Sequence, residues 1–216
     1  MKNKSIICLI IINLVAFLLV AFWLTPSNGY LYDYQVIAWV EGSSTKLLNQ
    51  IMLVISLVGS SEIILLATIV ISAIFLLKRY WQLLYFFIIV SVGGVALNFL
   101  LKILFQKERP GGNVSSIEVF NFSFDIPSYS FPSGHMMRAT LLLLFLIYLS
   151  YSFIKNTYLK WTAYLTSFIL MIGVALSRIF LDAHYLSDII GAVSISIVWF
   201  CLILLIFKKN HVSHYN

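Results

Sequence analysis

Three short polar clusters in an otherwise apolar chain carry side chains suited to chemistry. In SRIFLDAHYLSD, Ser177 to Asp188, His184 and Asp188 are four residues apart, which on a helix opening the last apolar run places them on one face. The carboxylate then accepts a hydrogen bond from one ring nitrogen and leaves the other unprotonated and aimed outward, as a base or nucleophile requires. In FPSGHMMRAT, Phe131 to Thr140, Pro132 and Ser133 read as a helix entry, with Ser133 as cap and Gly134 permitting close backbone approach. The amides and dipole of such a helix start attract an anion. In KILFQKERP, Lys102 and Arg109 are seven apart, and Pro110 biases Arg109 out of helical geometry, so the helix ends there and Arg109 turns inward from its edge. Each cluster alone also has an ordinary reading: snorkelling cations, a plain cap with His135 at the interface, a structural His–Asp pair linking helices.

Jointly they supply three cations (Lys102, Arg109, Arg178), one hydroxyl, one helix start and two histidines. That inventory suits a phosphoryl group, because cations and backbone amides stabilise the charge spread over its equatorial oxygens. His184 can attack phosphorus and His135 can protonate the leaving oxygen. A two-metal site would need several acidic ligands. The chain has 8 Asp and Glu in all, and beyond Asp182 and Asp188 none is near a histidine in sequence, so no metal and no other cofactor is expected. A rival from another class is a phosphate or lipid-anion binder or transporter, in which Gly93-Gly94 would mark a close helix contact or a broken span. His184 paired with Asp188 discriminates against it: a binder needs positive charge, not an oriented neutral imidazole.

The elements that position these clusters follow from composition. Of 216 residues 61% are hydrophobic and 10% charged, with a mean hydropathy of +0.98, which excludes a soluble globular protein. Apolar runs near residues 6–24, 51–77, 81–104, 136–154, 162–180 and 187–207 each approach the roughly 20 residues that cross a bilayer. The first exceeds a signal-peptide core and lacks an A-x-A site, so it reads as an uncleaved span. The expected fold is an all-α integral membrane protein, six transmembrane helices in a single bundle, residues 1–216 forming one domain. Residues 25–50, with Tyr32, Tyr34 and Trp39, read as an interfacial helix without chemistry, and residues 106–132 as a loop.

Lys2, Lys4, Lys78, Arg79, Lys155, Lys160, Lys208 and Lys209 fall at one side, and most of the remaining Lys and Arg lie in or beside the clusters. The positive-inside rule then puts both termini in the cytoplasm and all three clusters outside. The net charge of +6 is mostly these inner-side lysines, so it signals topology and not nucleic-acid binding. Cys8 and Cys201 read as apolar fillers, Arg138 as a snorkelling cation slightly ahead of a substrate contact, His211 and His214 as tail residues, and Asp182 as a turn residue able to cap a helix near His184. No protein partner is implied.

Lys102-x6-Arg109-Pro110, Pro132-Ser133-Gly134-His135 and Ser177-Arg178-x5-His184-x3-Asp188 together resemble the three-part signature of the type 2 phosphatidic acid phosphatase family of membrane lipid phosphatases. Order and spacing match throughout, over roughly Lys102 to Asp188. The resemblance implies that His184 is the nucleophile forming a phosphohistidine, that Asp188 orients it and that His135 is the acid. It also implies that Lys102, Arg109, Ser133, Gly134 and Arg178 bind phosphate, without metal and on the outer face. Compact six-span form resembles bacterial members, whose substrates put phosphatidylglycerol phosphate slightly ahead of undecaprenyl diphosphate.

Overall fold

Long runs of Leu, Ile, Val and Phe in a bilayer leave backbone N–H and C=O groups no partner but one another, and a helix pairs them within the segment. The computed structural model describes residues 3–24, 29–110, 114–119, 122–127 and 129–212, and its helices are α1 (Asn3–Leu19), α2 (Gly29–Ser43), α3 (Lys46–Ser56), α4 (Ser61–Leu77), α5 (Trp81–Phe105), α6 (Gly134–Phe153), α7 (Thr157–Phe180) and α8 (Leu186–Val212). Among the described residues, six segments are long and apolar enough to cross a membrane: Asn3–Phe22, Lys46–Leu77, Trp81–Phe105, Gly134–Phe153, Thr157–Phe180 and Leu186–Lys208. This is the expected six-span protein, with α2 as the extra helix after the first span.

Two features depart from expectation. The second span is interrupted: a 3-10 turn, Leu57–Gly59, follows α3, and Ser60 in extended conformation caps α4 by accepting from the Ile63 amide at 3.2 Å. A Cβ on Gly59 would lie 2.9 Å from the His135 carbonyl oxygen, so glycine alone allows this turn to press against α6. The segment read as an irregular loop contains an antiparallel hairpin, β1 (Val114–Val119) with β2 (Phe122–Pro127), in the register Val114↔Pro127. Its sequence signal is the alternation Ile117, Val119 and then Phe122, Phe124, Ile126.

The helix α8 packs against α1, α5 and α6, while α7 packs against α6 and α3. The core between them is aromatic: Phe86 meets Tyr148, Phe200 and Phe145 at 5.2, 5.5 and 5.7 Å between ring centroids, and Phe87 meets Phe145 at 4.4 Å. Gly93 and Gly94 do not break a span, because α5 is continuous through them. A Cβ on Gly93 would lie 2.5 Å from the Trp199 ring, whose Nε1 donates to the Val90 carbonyl at 3.2 Å. Gly93 thus brings α5 against α8, and Gly94, whose Cβ would run into Leu141, brings it against α6. The C-terminal ends of α5 and α7 and the N-terminal ends of α6 and α8 thereby converge at one end of the bundle; at the other, Lys208 Nζ donates to Asn3 Oδ1 at 3.0 Å.

Candidate active site

Phe131 anchors the middle cluster. Its fully buried ring packs on Phe105 and Phe17 at 5.0 and 5.7 Å between centroids, and a Cβ on Gly191 of α8 would come within 2.4 Å of it. The following Pro132, joined through a cis peptide, offers its carbonyl to Asn98 Nδ2 at 3.0 Å. Ser133 then does two things: its hydroxyl caps α6 by accepting from the Met136 amide at 3.4 Å, and its own amide donates to the Asp188 carbonyl at 3.2 Å. This second bond ties the middle cluster to the last. Gly134 is required for the same closeness, since a Cβ would meet Asn98 Oδ1 at 3.1 Å and Arg138 Nη1 at 3.3 Å.

The turn from α7 to α8 builds the last cluster. The amides of Ala183 and His184 both donate to the Arg178 carbonyl, at 3.1 and 3.2 Å, and Asp182 takes a left-handed φ of 50° between them. Asp182 is therefore a turn-forming residue with an exposed side chain, and it caps no helix. The helix begins only at Leu186, so His184 precedes it. The pairing with Asp188 expected of one helical face is instead made across the turn: His184 Nδ1 lies 3.4 Å from Asp188 Oδ2, which also accepts from the Tyr185 amide at 2.9 Å. The Ser130 hydroxyl donates to the same oxygen and sits 3.3 Å from Nδ1. A carboxylate at Nδ1 favours the tautomer with its proton there, which leaves the Nε2 lone pair for chemistry.

The cations surround this pair. Lys102, in the last turn of α5, donates to the Tyr129 carbonyl. Arg109 lies beyond α5, which ends at Phe105 with Gln106 in a left-handed cap, four residues before the end at Arg109 that Pro110 suggested. Arg178 Nη1 donates to the Ser56 hydroxyl at 2.6 Å. The charges of Lys102 and Arg109 act on His184, and His135 is within electrostatic reach of Arg178, Arg138, His184 and Arg109. All eight expected site residues thus meet at one end of the bundle. Arg138 joins them: far from snorkelling, it turns inward, with Nη2 at 3.3 Å from the Gly59 carbonyl and 3.4 Å from His135 Nδ1. The break in the second span supplies both Ser56 and Gly59.

Burial pushes the His184 imidazole down to about 4 from its ordinary value of 6.5. The hydrogen bond and charge of Asp188 oppose that shift, and Arg109 and Lys102 add to it. Because the folded-state value is lowered, the unfolded chain takes up a proton between pH 6.5 and about 4 that the folded chain refuses. Stability therefore falls on acidification through that window, and above it the neutral imidazole is the resident form. Nitrogen NMR of histidine-labelled protein, with His184→Ala to assign the signal, should show a neutral Nδ1–H ring from pH 7 down to about 5. Protonation with a midpoint near the ordinary 6.5 would contradict this environment.

Among the described residues no three His, Cys, Asp or Glu side chains come together as a metal-ligand group. Cys8 is exposed and Cys201 buried, both as free thiols. His214 lies outside the described residues, and His211 falls in the last turn of α8, away from the site.

The sequence reading missed Ser130, Asn98, Ser56 and Gly59, all polar or small residues brought in from outside the motifs. A family model for the PAP2 superfamily matches residues 80–211. This chain belongs to the PAP2 superfamily. Phosphatidylglycerophosphatase B of Bacillus subtilis is 26% identical over 163 residues, covering 72% of this chain and 73% of that protein. The crystal structure of a transmembrane PAP2-type phosphatidylglycerolphosphate phosphatase from Bacillus subtilis shares the fold, with a TM-score of 0.77 at 23% identity, over 93% of this chain and 96% of the other. The family match includes all three clusters, and the PAP2 chain is a phosphatase.

Proposed function

We propose that this PAP2 protein removes a phosphate from a membrane lipid phosphate or diphosphate through a phosphohistidine at His184. The observation that carries the reading is a buried imidazole oriented by Asp188 at Nδ1 and faced by the charges of Lys102 and Arg109. In the first half-reaction Nε2 attacks phosphorus, the P–O bond to the lipid breaks, and the leaving oxygen takes a proton from His135. In the second, His135 accepts a proton from water, whose oxygen attacks phosphorus; the P–N bond breaks, releasing phosphate and regenerating His184. Asp188 holds the ring and stabilises its positive charge without taking the proton. Lys102, Arg109, Arg178, Ser133 and the Gly134 amide bind the phosphate oxygens.

Phosphatidylglycerol phosphate is the leading substrate, a choice supported by the names of both Bacillus subtilis relatives; undecaprenyl diphosphate comes second. Lys78, Arg79 and Lys155 lie in the connections at the end opposite the site, and Lys160 near the start of α7 lies beside them. The positive-inside rule makes that end cytoplasmic, with both termini, and the site extracytoplasmic.

The test is phosphate release by detergent-purified protein in EDTA from phosphatidylglycerol phosphate, undecaprenyl diphosphate and phosphatidic acid side by side. Release should persist in EDTA, be fastest from the first, and show a bell-shaped pH profile from neutral His184 and protonated His135. Acid-labile, base-stable phosphoprotein should accumulate on rapid quenching. No release from any of the three lipids would overturn the assignment.

A further inference from the structure

Behind Asp188 lies a second polar group that the phosphohistidine mechanism does not use. Lys107, between the signature residues Lys102 and Arg109, is almost fully buried, and its Nζ lies 3.1 Å from Asp188 Oδ1 and 3.1 Å from Asp33 Oδ2. It also donates to the Ser187 hydroxyl at 2.6 Å and sits 4.5 Å over the Tyr185 ring. Asp33 belongs to α2, the interfacial helix to which the sequence reading gave no chemistry. Its Oδ1 accepts from the Ser187 amide at 3.0 Å and its Oδ2 from the Ser187 hydroxyl, and it is 2% exposed. Rings flank the same contact: Tyr34 meets Tyr185 at 5.9 Å and Trp39 meets Phe180 at 6.2 Å between centroids.

Two carboxylates and an ammonium out of water gain little stability over well-packed apolar side chains. Their position is the informative point. Ser130 and the Tyr185 amide bond Oδ2, and Lys107 Nζ is in ionic contact with Oδ1, which accepts no hydrogen bond, so the carboxylate that aims His184 is held from both sides, by hydrogen bonds on one and by charge on the other. Lys107 is in turn held by Asp33, from the far side of the α7–α8 turn. We infer that Asp33 and Lys107 are positioning residues for the nucleophile, and that α2 is the clamp that presents Asp33 to the site. The inference rests on the phosphohistidine reading and extends it to a helix outside the signature.

The experiment compares wild type, Asp33→Asn and the double variant Asp33→Asn/Lys107→Met on phosphatidylglycerol phosphate in detergent. The double variant removes one charge of each sign, so the network keeps its net charge and no buried ammonium is left behind. Turnover per folded molecule should fall about tenfold to a hundredfold in both variants. KM should stay within about twofold, because Lys102, Arg109 and Arg178 still bind the phosphate.

The His184 titration gives a readout that mere folding would not move. The charged groups facing the ring are Asp188 of α8, Lys102 of α5, Arg109 after it and His135 of α6, with Lys107 behind Asp188. Losing Asp33 alone leaves Lys107 to draw on Asp188 undiluted, so the His184 midpoint should drop below that of wild type. Removing the cation as well should raise it above the single variant. Folded variants with wild-type turnover and unmoved midpoints, or a loss confined to KM, would overturn the inference. If Asp33→Asn does not fold, the double variant decides alone. A wild type without phosphatase activity would instead sink the underlying mechanism, so the two failures are distinguishable.

Discussion

Replacing His184 by alanine is expected to lower phosphate release from phosphatidylglycerol phosphate by about 10⁴-fold or more while the protein remains folded and still binds inorganic phosphate. The size of the loss follows from what else is at hand. Ser130 and Ser133 are fully buried hydroxyls already engaged, one with Asp188 and one with the α6 amide of Met136. His135 sits at the start of a different helix, on the leaving-group side of the proposed reaction. None can replace an imidazole whose Nε2 lone pair is aimed by a carboxylate, so only charge stabilisation by Lys102, Arg109 and Arg178 would remain. Inhibition by inorganic phosphate should change no more than a few-fold, because those cations are untouched. The variant carries a second signature. The loss of stability between pH 6.5 and about 4 that His184 contributes should disappear with the ring, and melting in detergent across that range checks it. Full retention of activity would end the phosphohistidine reading. Retained phosphate binding together with a wild type that releases no phosphate would move the protein to the class of anion binders.

The parts of this architecture legible in the sequence were those written in local pattern. Six apolar runs gave six spans, because a bilayer admits almost no other backbone solution. The cap at Ser133 and the pairing of His184 with Asp188 are likewise local, set by residues within a few positions of one another. Even there one detail escaped: spacing of four suggested one helical face, whereas the pair closes across the turn before α8. What remained hidden was tertiary. Asp33 and Lys107 are 74 positions apart, and Ser56 reaches Arg178 over 122. Nothing in the identity of an aspartate on an interfacial helix, or of a lysine among the x positions of a motif, announces a buried ion pair. For Arg138 the slightly favoured of its two readings, snorkelling, fails for a similar reason. A cation near a helix end ordinarily snorkels, but the Gly59 turn that breaks the second span offers it a carbonyl inside the bundle.

Asp188→Asn should be nearly as severe for catalysis as loss of the nucleophile and more severe for folding. The amide can offer its oxygen to His184 Nδ1, but it can equally present its NH2 group. The second choice leaves the ring with its proton on Nε2, where it cannot attack phosphorus. The imidazolium-like charge of the phosphorylated ring also loses its counter-charge. On the precedent of orienting carboxylates generally, turnover should fall roughly 10³- to 10⁴-fold with little change in KM. The structural cost arises one contact further back. Lys107 has Asp188 and Asp33 at equal distances of 3.1 Å, both out of water, and the substitution leaves a buried ammonium with one carboxylate where it had two. Breaking such a pair costs about 3–5 kcal/mol when no other partner exists. With Asp33 still in place the drop should lie at or below the lower end of that range, read as a fall in melting temperature. Adding Lys107→Met should restore part of the stability, since it removes the stranded charge, and none of the turnover, since the ring remains unaimed. Recovery of both together would mean that Asp188 serves the fold and not the nucleophile.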